Sequence, residues 1–341
     1  ALAAARASGS AALADLQAVD DALAEAERNG ADARLMLLDL DSGQQVHAAV
    51  AVGNPDTATH VAVTTPGLNS TVRGTLGTMT AEAVVLQRET LRQLSAAGRP
   101  TETAAAIAWI GYDAPQIPGP GSPADLARSG LGGYQVSHDG AARAGAVSLA
   151  RFYDGIQAAR TGGPAHLTAI GHSYGSLTTG LALQVSGDHG VSEAVFYGSP
   201  GIGAATPADL NLAPGHVYAM ASPDDPIRFV YQAPPLARVL AAVTPGVVDD
   251  ALLSVATVSG TGAFGPDPAT NPNFVRLETG PAVVTDPGGP AWQFDGAAGH
   301  SEYPKLGSTR DPDGEPLPRT PGYNIAAVVA GLGQRTIRTG R

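Results

Sequence analysis

Cysteine is absent from the 341 residues. That excludes disulfides, thiolate metal sites and a cysteine nucleophile. It leaves the compartment open, because a chain without thiols is indifferent to redox setting. Lysine is nearly absent: Lys305 stands alone, no Lys/Arg cluster occurs, and the formal net charge is −11. A surface of that sign repels a phosphate backbone, which argues against nucleic acid as a partner. Aromatic residues make up only 5% of the chain, so no stacking platform for a sugar or nucleobase stands out, and alanine, glycine and valine carry much of the apolar burden. No apolar run is long enough to span a bilayer. No charged-then-apolar leader opens the chain. The first residue is Ala1 rather than Met, which reads as a trimmed product, with secreted and cytoplasmic placements both open. Nothing in the sequence speaks to oligomeric state.

What is present is alternation. Leu13, Leu16, Val19, Leu23 and Ala26 recur at helical spacing within Ser10 to Arg28, and Asn29-Gly30 supplies a stop. This predicts a helical leader over 1–30, ahead of a single domain over 31–341. Short apolar runs follow at Arg34 to Leu40, Gln45 to Val52 and His60 to Thr65, divided by turn residues. Beyond them strands predicted at Ala104 to Ile110, Ala165 to Ile170, Glu193 to Tyr197 and His216 to Met220 alternate with helices predicted at Met79 to Ala97 and Ala141 to Arg160. Asn273 to Glu278 reads as a last strand and Asn324 to Leu332 as a closing helix. The pattern predicts an α/β fold: a mostly parallel twisted sheet with helices on both faces and an antiparallel N-terminal edge. Gln116 to Pro123 and Gly280 to Pro290 read as loops over the sheet. Pro234 to Val258 holds two short apolar helical patterns, which fit either a crossover element or a cap over 232–262.

One five-residue stretch carries chemistry. Gly171-His172-Ser173-Tyr174-Gly175 follows an apolar strand and precedes a helical pattern, the context of a nucleophile elbow. Glycine at both outer positions removes side chains that a turn this tight would drive into one another. A serine hydroxyl needs a base to take its proton and a carboxylate to orient that base. In such folds the partners follow in the order serine, acid, histidine. Of the eight histidines, only His300 lies beyond a strand-end acid, so it is the expected base. Asp225 and Asp224 compete for the acid after the strand ending at Ala221, and Asp225 is favoured because Pro226 fixes its turn. The oxyanion donors are expected to be the backbone N–H of Tyr174 and, from the Thr65-Pro66-Gly67 loop, that of Leu68, with Asn69 second. Asn69, Tyr112, Phe229 and Tyr231 are the expected substrate contacts. His172 is expected to pack or polarise the turn, and Asp113 to be structural or substrate-facing.

Taken together, the elbow, the Asp225 turn and His300 resemble the α/β-hydrolase superfamily. Gly111-Tyr112-Asp113-Ala114-Pro115, the elbow and His300-Ser301-x-Tyr303 resemble more narrowly the actinobacterial α/β hydrolases grouped as domain of unknown function 1023. The resemblance runs from about Arg34 to the C-terminus. It implies an α/β-hydrolase fold and a Ser–Asp–His hydrolase with no metal and no organic cofactor. Family members often carry a longer helical region upstream. The Thr-Pro-Gly entry to the oxyanion loop departs from the His-Gly form of lipases. The expected activity is cleavage of carboxylic esters with short to medium acyl chains, the partner being a small-molecule ester. The same residues would serve an acyltransferase, and a secretion-associated binding domain without catalysis is the reading from another class.

Overall fold

The structure, a computed structural model, describes residues 12–116, 139–228, 264–286, 289–312 and 314–340. Helix α1 (Leu13–Arg28) leads into β1 (Ala33–Asp39), β2 (His47–Val52) and β3 (His60–Thr65). Next come α2 (Val72–Ala96), β4 (Ala104–Ile110), α3 (Gly140–Ala159), β5 (His166–His172) and α4 (Tyr174–Leu183). The series continues with β6 (Val191–Tyr197), β7 (Val217–Met220) and β8 (Val275–Arg276). It closes with two hairpins, β9 (Ala282–Thr285) with β10 (Ala291–Phe294) and β11 (Leu306–Arg310) with β12 (Pro316–Pro318), then α5 (Thr320–Val329).

β1 to β8 form one sheet in the order 1-2-4-3-5-6-7-8. β2 runs antiparallel to both β1 and β4, and the pairs from β4 to β8 are parallel. Side chains alternate faces along each strand. Val61, Val63, Ala105, Ile107 and Trp109 pack toward Leu149 and Tyr153 of α3 and Leu177 of α4. Ala48, Val50, Ala108 and Ile110 pack on the other face with Val19 of α1 and Leu76 and Met79 of α2, and Ala62, Ile170 and Val195 pack there with Ile325 and Val328 of α5. Central strands covered on both faces read as unbroken apolar runs, as all seven buried residues of β4 do. The mostly parallel sheet with an antiparallel N-terminal edge is therefore the architecture expected.

Local details differ from expectation. α2 begins at Val72 rather than Met79: the Thr71 side chain accepts from the Gly74 N–H at 3.1 Å and caps it, while Gly74 and Gly77 obscure the helical pattern in the sequence. The stretch from Gly280 to Pro290 is not wholly loop, since it holds β9, paired with β10; four-residue strands leave too short an alternation to recognise. The last strand of the sheet shrinks to two residues. The proposed cap at 232–262, with Pro234 to Val258, lies outside the described residues, as do the first eleven residues of the leader and all of Gln116 to Pro123 but Gln116 itself.

The parallel strands point their C-terminal ends at one edge, where loops gather a site. At the opposite end, His166 begins β5 with its ring edge-on to His60 at 5.3 Å. Burial, reinforced by His60, pushes the His166 imidazole down to about 4. The folded state therefore keeps it neutral where the unfolded chain, with a pKa near 6.5, takes up a proton. Its contribution to stability is full above about pH 6.5 and is lost as pH falls toward 4, at up to about 1.4 kcal/mol per pH unit. The stability difference between the native chain and His166→Asn is thus expected to narrow as pH falls from 7.5 to 5, read by urea unfolding at each pH. A difference independent of pH would contradict this.

Candidate active site

Ser173 lies between β5 and α4 with φ 53° and ψ −132°. A non-glycine residue there holds roughly 1–3 kcal/mol of backbone strain, which the surroundings must enforce. They do so by close approach. A Cβ on Gly171 would stand 2.6 Å from Ser176 Cα, and one on Gly175 would run into the carbonyls of Thr65 and Pro66. The Ser173 N–H donates to the Tyr197 carbonyl at 3.1 Å, anchoring the turn to the end of β6. The outer glycines of the elbow are thus a steric requirement.

Gly67 closes over the serine from the end of β3. A Cβ there would lie 2.6 Å from Ser173 Cβ and 2.9 Å from both Ser173 Oγ and Tyr174 N. The loop and the N-terminus of α4, the positive end of a helix, thus converge beside Ser173. Leu68 is half-buried at the cavity, and its N–H has no hydrogen-bond partner among the described residues. The Asn69 N–H donates to the Pro115 carbonyl at 2.9 Å, which withdraws it as a backbone donor, although Asn69 itself lines the cavity.

Asp225 is fully buried after β7. Its Oδ1 and Oδ2 lie 2.9 and 3.1 Å from His300 Nδ1. Oδ2 also accepts from the Tyr303 hydroxyl at 2.6 Å, and Oδ1 from the Ile227 N–H at 2.9 Å. Burial, with Asp225 beside it, drives the Tyr303 phenol far above its ordinary pKa, so it stays a donor. Gly198, with φ 54°, ends β6 where a Cβ would be 3.0 Å from Asp225 Oδ2 and 3.1 Å from His300 Nδ1.

Asp224 is not an idle turn residue. Its Oδ1 accepts from the Gly299 N–H at 3.0 Å and from the Ser222 hydroxyl at 2.6 Å, bonds that hold its carboxyl below the usual range. It therefore pins the loop that carries His300. His172 does the same from the elbow: its Nε2 donates to the His300 carbonyl at 2.9 Å, and its ring stacks on Tyr197 at 4.7 Å. Burial, followed by the neighbouring His300, pushes His172 down to about 3, so it is neutral near pH 7.

Ser173, His300, Leu68, Asn69 and Tyr197 line one cavity of about 390 Å³. Tyr112 is placed elsewhere. It is buried against Trp109, and its hydroxyl donates to the Pro66 carbonyl at 2.7 Å, bracing the Pro66-Gly67 loop from behind. Asp113 clasps the β1–β2 turn, accepting from the Gln44 and Gln45 N–H groups at 2.9 Å and meeting His47 Nε2 at 3.1 Å. Phe229 and Tyr231 lie outside the described residues. The roles of Tyr303, Gly198 and Asp224 escaped the sequence reading. Tyr303 stood in the His300-Ser301-x-Tyr303 pattern, the one signal that could have found it. Among the described residues no group of three or more His, Asp or Glu side chains is placed to hold a metal ion, and no helix is long and apolar enough to cross a membrane.

A family model described as alpha/beta hydrolase matches residues 41–238. An uncharacterized protein of Mycobacterium tuberculosis is 40% identical over 215 residues, 62% of this chain and 73% of the relative. A second uncharacterized protein of that organism is 34% identical over 198 residues, 58% of this chain but 27% of its own length. A solved structure, the esterase LipW from Mycobacterium marinum, aligns at 14% identity with a TM-score of 0.32, over 73% of this chain and 86% of that one.

Proposed function

The chain belongs to the alpha/beta hydrolase family, and on that premise we propose that it is a serine hydrolase opening carboxylic esters through an acyl-enzyme. The observation that carries this reading is the buried Asp225 held on His300 Nδ1 at 2.9 Å, beside a cavity shared by His300 and the strained Ser173. Ser173 Oγ attacks the acyl carbon while His300 Nε2 takes its proton. Asp225 fixes the tautomer and orientation of the ring and stabilises the imidazolium. The N–H groups of Tyr174 and Leu68 receive the oxyanion. Collapse of the tetrahedral intermediate expels the alcohol, which leaves with the proton from His300. Water then attacks the acyl-Ser173 ester, gives its proton to His300, and the acid departs as Ser173 regains a proton.

A cavity of about 390 Å³ is at the small end of ligand pockets, which supports short to medium acyl groups. The experiment is labelling of the native chain with a fluorophosphonate, read by intact mass and peptide mapping. One adduct, on Ser173, is expected, together with turnover of p-nitrophenyl butyrate. No adduct, or an adduct elsewhere, would overturn the reading. In a chain-length series the optimum is expected below about twelve carbons.

A further inference from the structure

Away from the nucleophile, the described wall of the cavity sets polar side chains among apolar ones such as Leu68, Met79 and Pro304. Helix α2 turns one stripe toward it: Thr75, Thr78, Met79 and Glu82, the spacing of a single helical face. Ser70, Ser301 and Lys305 face that stripe from the neighbouring loops. These polar groups offer hydrogen bonds that an acyl chain would leave unused.

Glu82 is the odd member. It is partly buried, and its carboxyl has no hydrogen-bond partner among the described residues. The other acids removed from solvent are engaged: Asp15 by Arg73, Glu89 by Arg92 and Gln93, and Asp286 by Arg92, Arg335 and the Trp292 indole. On one side Glu82 borders an apolar crevice of about 30 Å³ lined by Leu86, Ile170 and Pro304, with room for little more than one water. On the other side it borders the cavity that holds Ser173. Burial pushes its carboxyl up to about 7, and Lys305 works against that shift. Tyr197 borders both spaces with Glu82, its phenol raised by burial and then by Glu82, while His172 and His300 share the cavity and Glu89 the crevice. Among the described residues only the charge of Lys305 offsets the desolvation of this group.

We propose that Glu82, with Lys305, Thr78 and Ser301 around the same cavity, forms a subsite for a hydroxyl-bearing group of the ester, such as a polyol alcohol. The inference rests on the hydrolase reading of Ser173 and deepens it. The chemistry separates the ligand classes. An ammonium group requires an ionised acid and no competing cation, yet Lys305 already supplies the positive charge at this site. A hydroxyl donates to the ionised carboxyl and accepts from the neutral one, so it suits an acid that titrates near neutrality. The side chains offered, one acid, one amine and several hydroxyls, match a diol, which both donates and accepts at neighbouring oxygens.

The test compares glycerol monobutyrate with propyl butyrate, two butyrates whose alcohols share three carbons and differ in two hydroxyls. The native chain is expected to favour the glycerol ester in kcat/KM by about tenfold or more, because a site built to bond hydroxyls rejects the analogue that lacks them. Glu82→Met, similar in length and apolar, is expected to bring the ratio to about one, mainly through KM, and Glu82→Gln to keep part of it. Fluorophosphonate labelling of Ser173 in each variant shows whether the site has assembled. A native ratio near or below one, or the same ratio in the native chain and Glu82→Met, overturns the subsite. An unlabelled native chain that turns over neither ester fails the hydrolase reading instead.

Discussion

Ser173→Ala is expected to lower kcat on p-nitrophenyl butyrate by about 10⁴-fold or more, with KM little changed. The hydroxyl contributes nothing to holding the ester in its ground state. It contributes the bond formed on the way to the tetrahedral intermediate, so its removal falls on kcat. The fold should tolerate the change. Alanine inherits the φ of 53° at similar strain, and the Ser173 N–H and carbonyl keep their bonds to Tyr197 and Ser176. On the proposed mechanism the residual rate would come from the N–H groups of Tyr174 and Leu68, which polarise a carbonyl whether or not a nucleophile is present. Stopped-flow and steady-state assays on the purified variant, with far-UV dichroism as a fold control, decide the matter. A loss confined to KM would move the nucleophile elsewhere.

Asp225→Asn is expected to cost about 10⁴-fold in kcat, and Asp224→Asn only about tenfold, the scale of one charge-assisted hydrogen bond. The two residues are neighbours in the chain, but their carboxylates do different work. Asp225 faces His300 Nδ1 and is further fixed by the Tyr303 hydroxyl. An amide in its place offers an N–H toward the ring, reverses the tautomer and leaves Nε2 without a lone pair for the serine proton. Asp224 reaches the Gly299 N–H and steadies the loop without touching the imidazole. The variant pair therefore settles the assignment by contrast: equal losses, or a larger loss at Asp224, would reverse it. Tyr303→Phe provides a milder third point, since Asp225 keeps its Ile227 N–H bond.

Much of this arrangement was legible in the sequence because it depends on chain order and local sterics. The elbow announces itself, since only glycine fits against Ser176 and the Thr65 and Pro66 carbonyls. The sheet was readable because doubly covered strands leave unbroken apolar runs such as Ala104–Ile110. What stayed hidden depends on contacts between distant segments. Tyr112 was expected beside the substrate, since it follows a strand whose end faces the site, yet its hydroxyl turns to the Pro66 carbonyl, 46 positions away. Asn69 stood second to Leu68 as a backbone donor, and only the fold shows that its N–H goes to the Pro115 carbonyl. Glu82 resembled any helix surface acid, and nothing local marks the one that faces the cavity. Asp224 and Asp225 were distinguishable only through Pro226, a turn argument, whereas the structure separates them by what each meets in one loop, the Gly299 N–H for Asp224 and the His300 ring for Asp225.

Lys305 is both the sole lysine of the chain and part of the cavity wall. Its scarcity has a practical side. The one lysine of these 341 residues is exposed and stands at the mouth of the site. Side-chain amine chemistry of any kind therefore lands at a single address. An activated ester carrying an environment-sensitive dye would seat its reporter beside the entrance, without an engineered handle, where it could follow ligand arrival in real time.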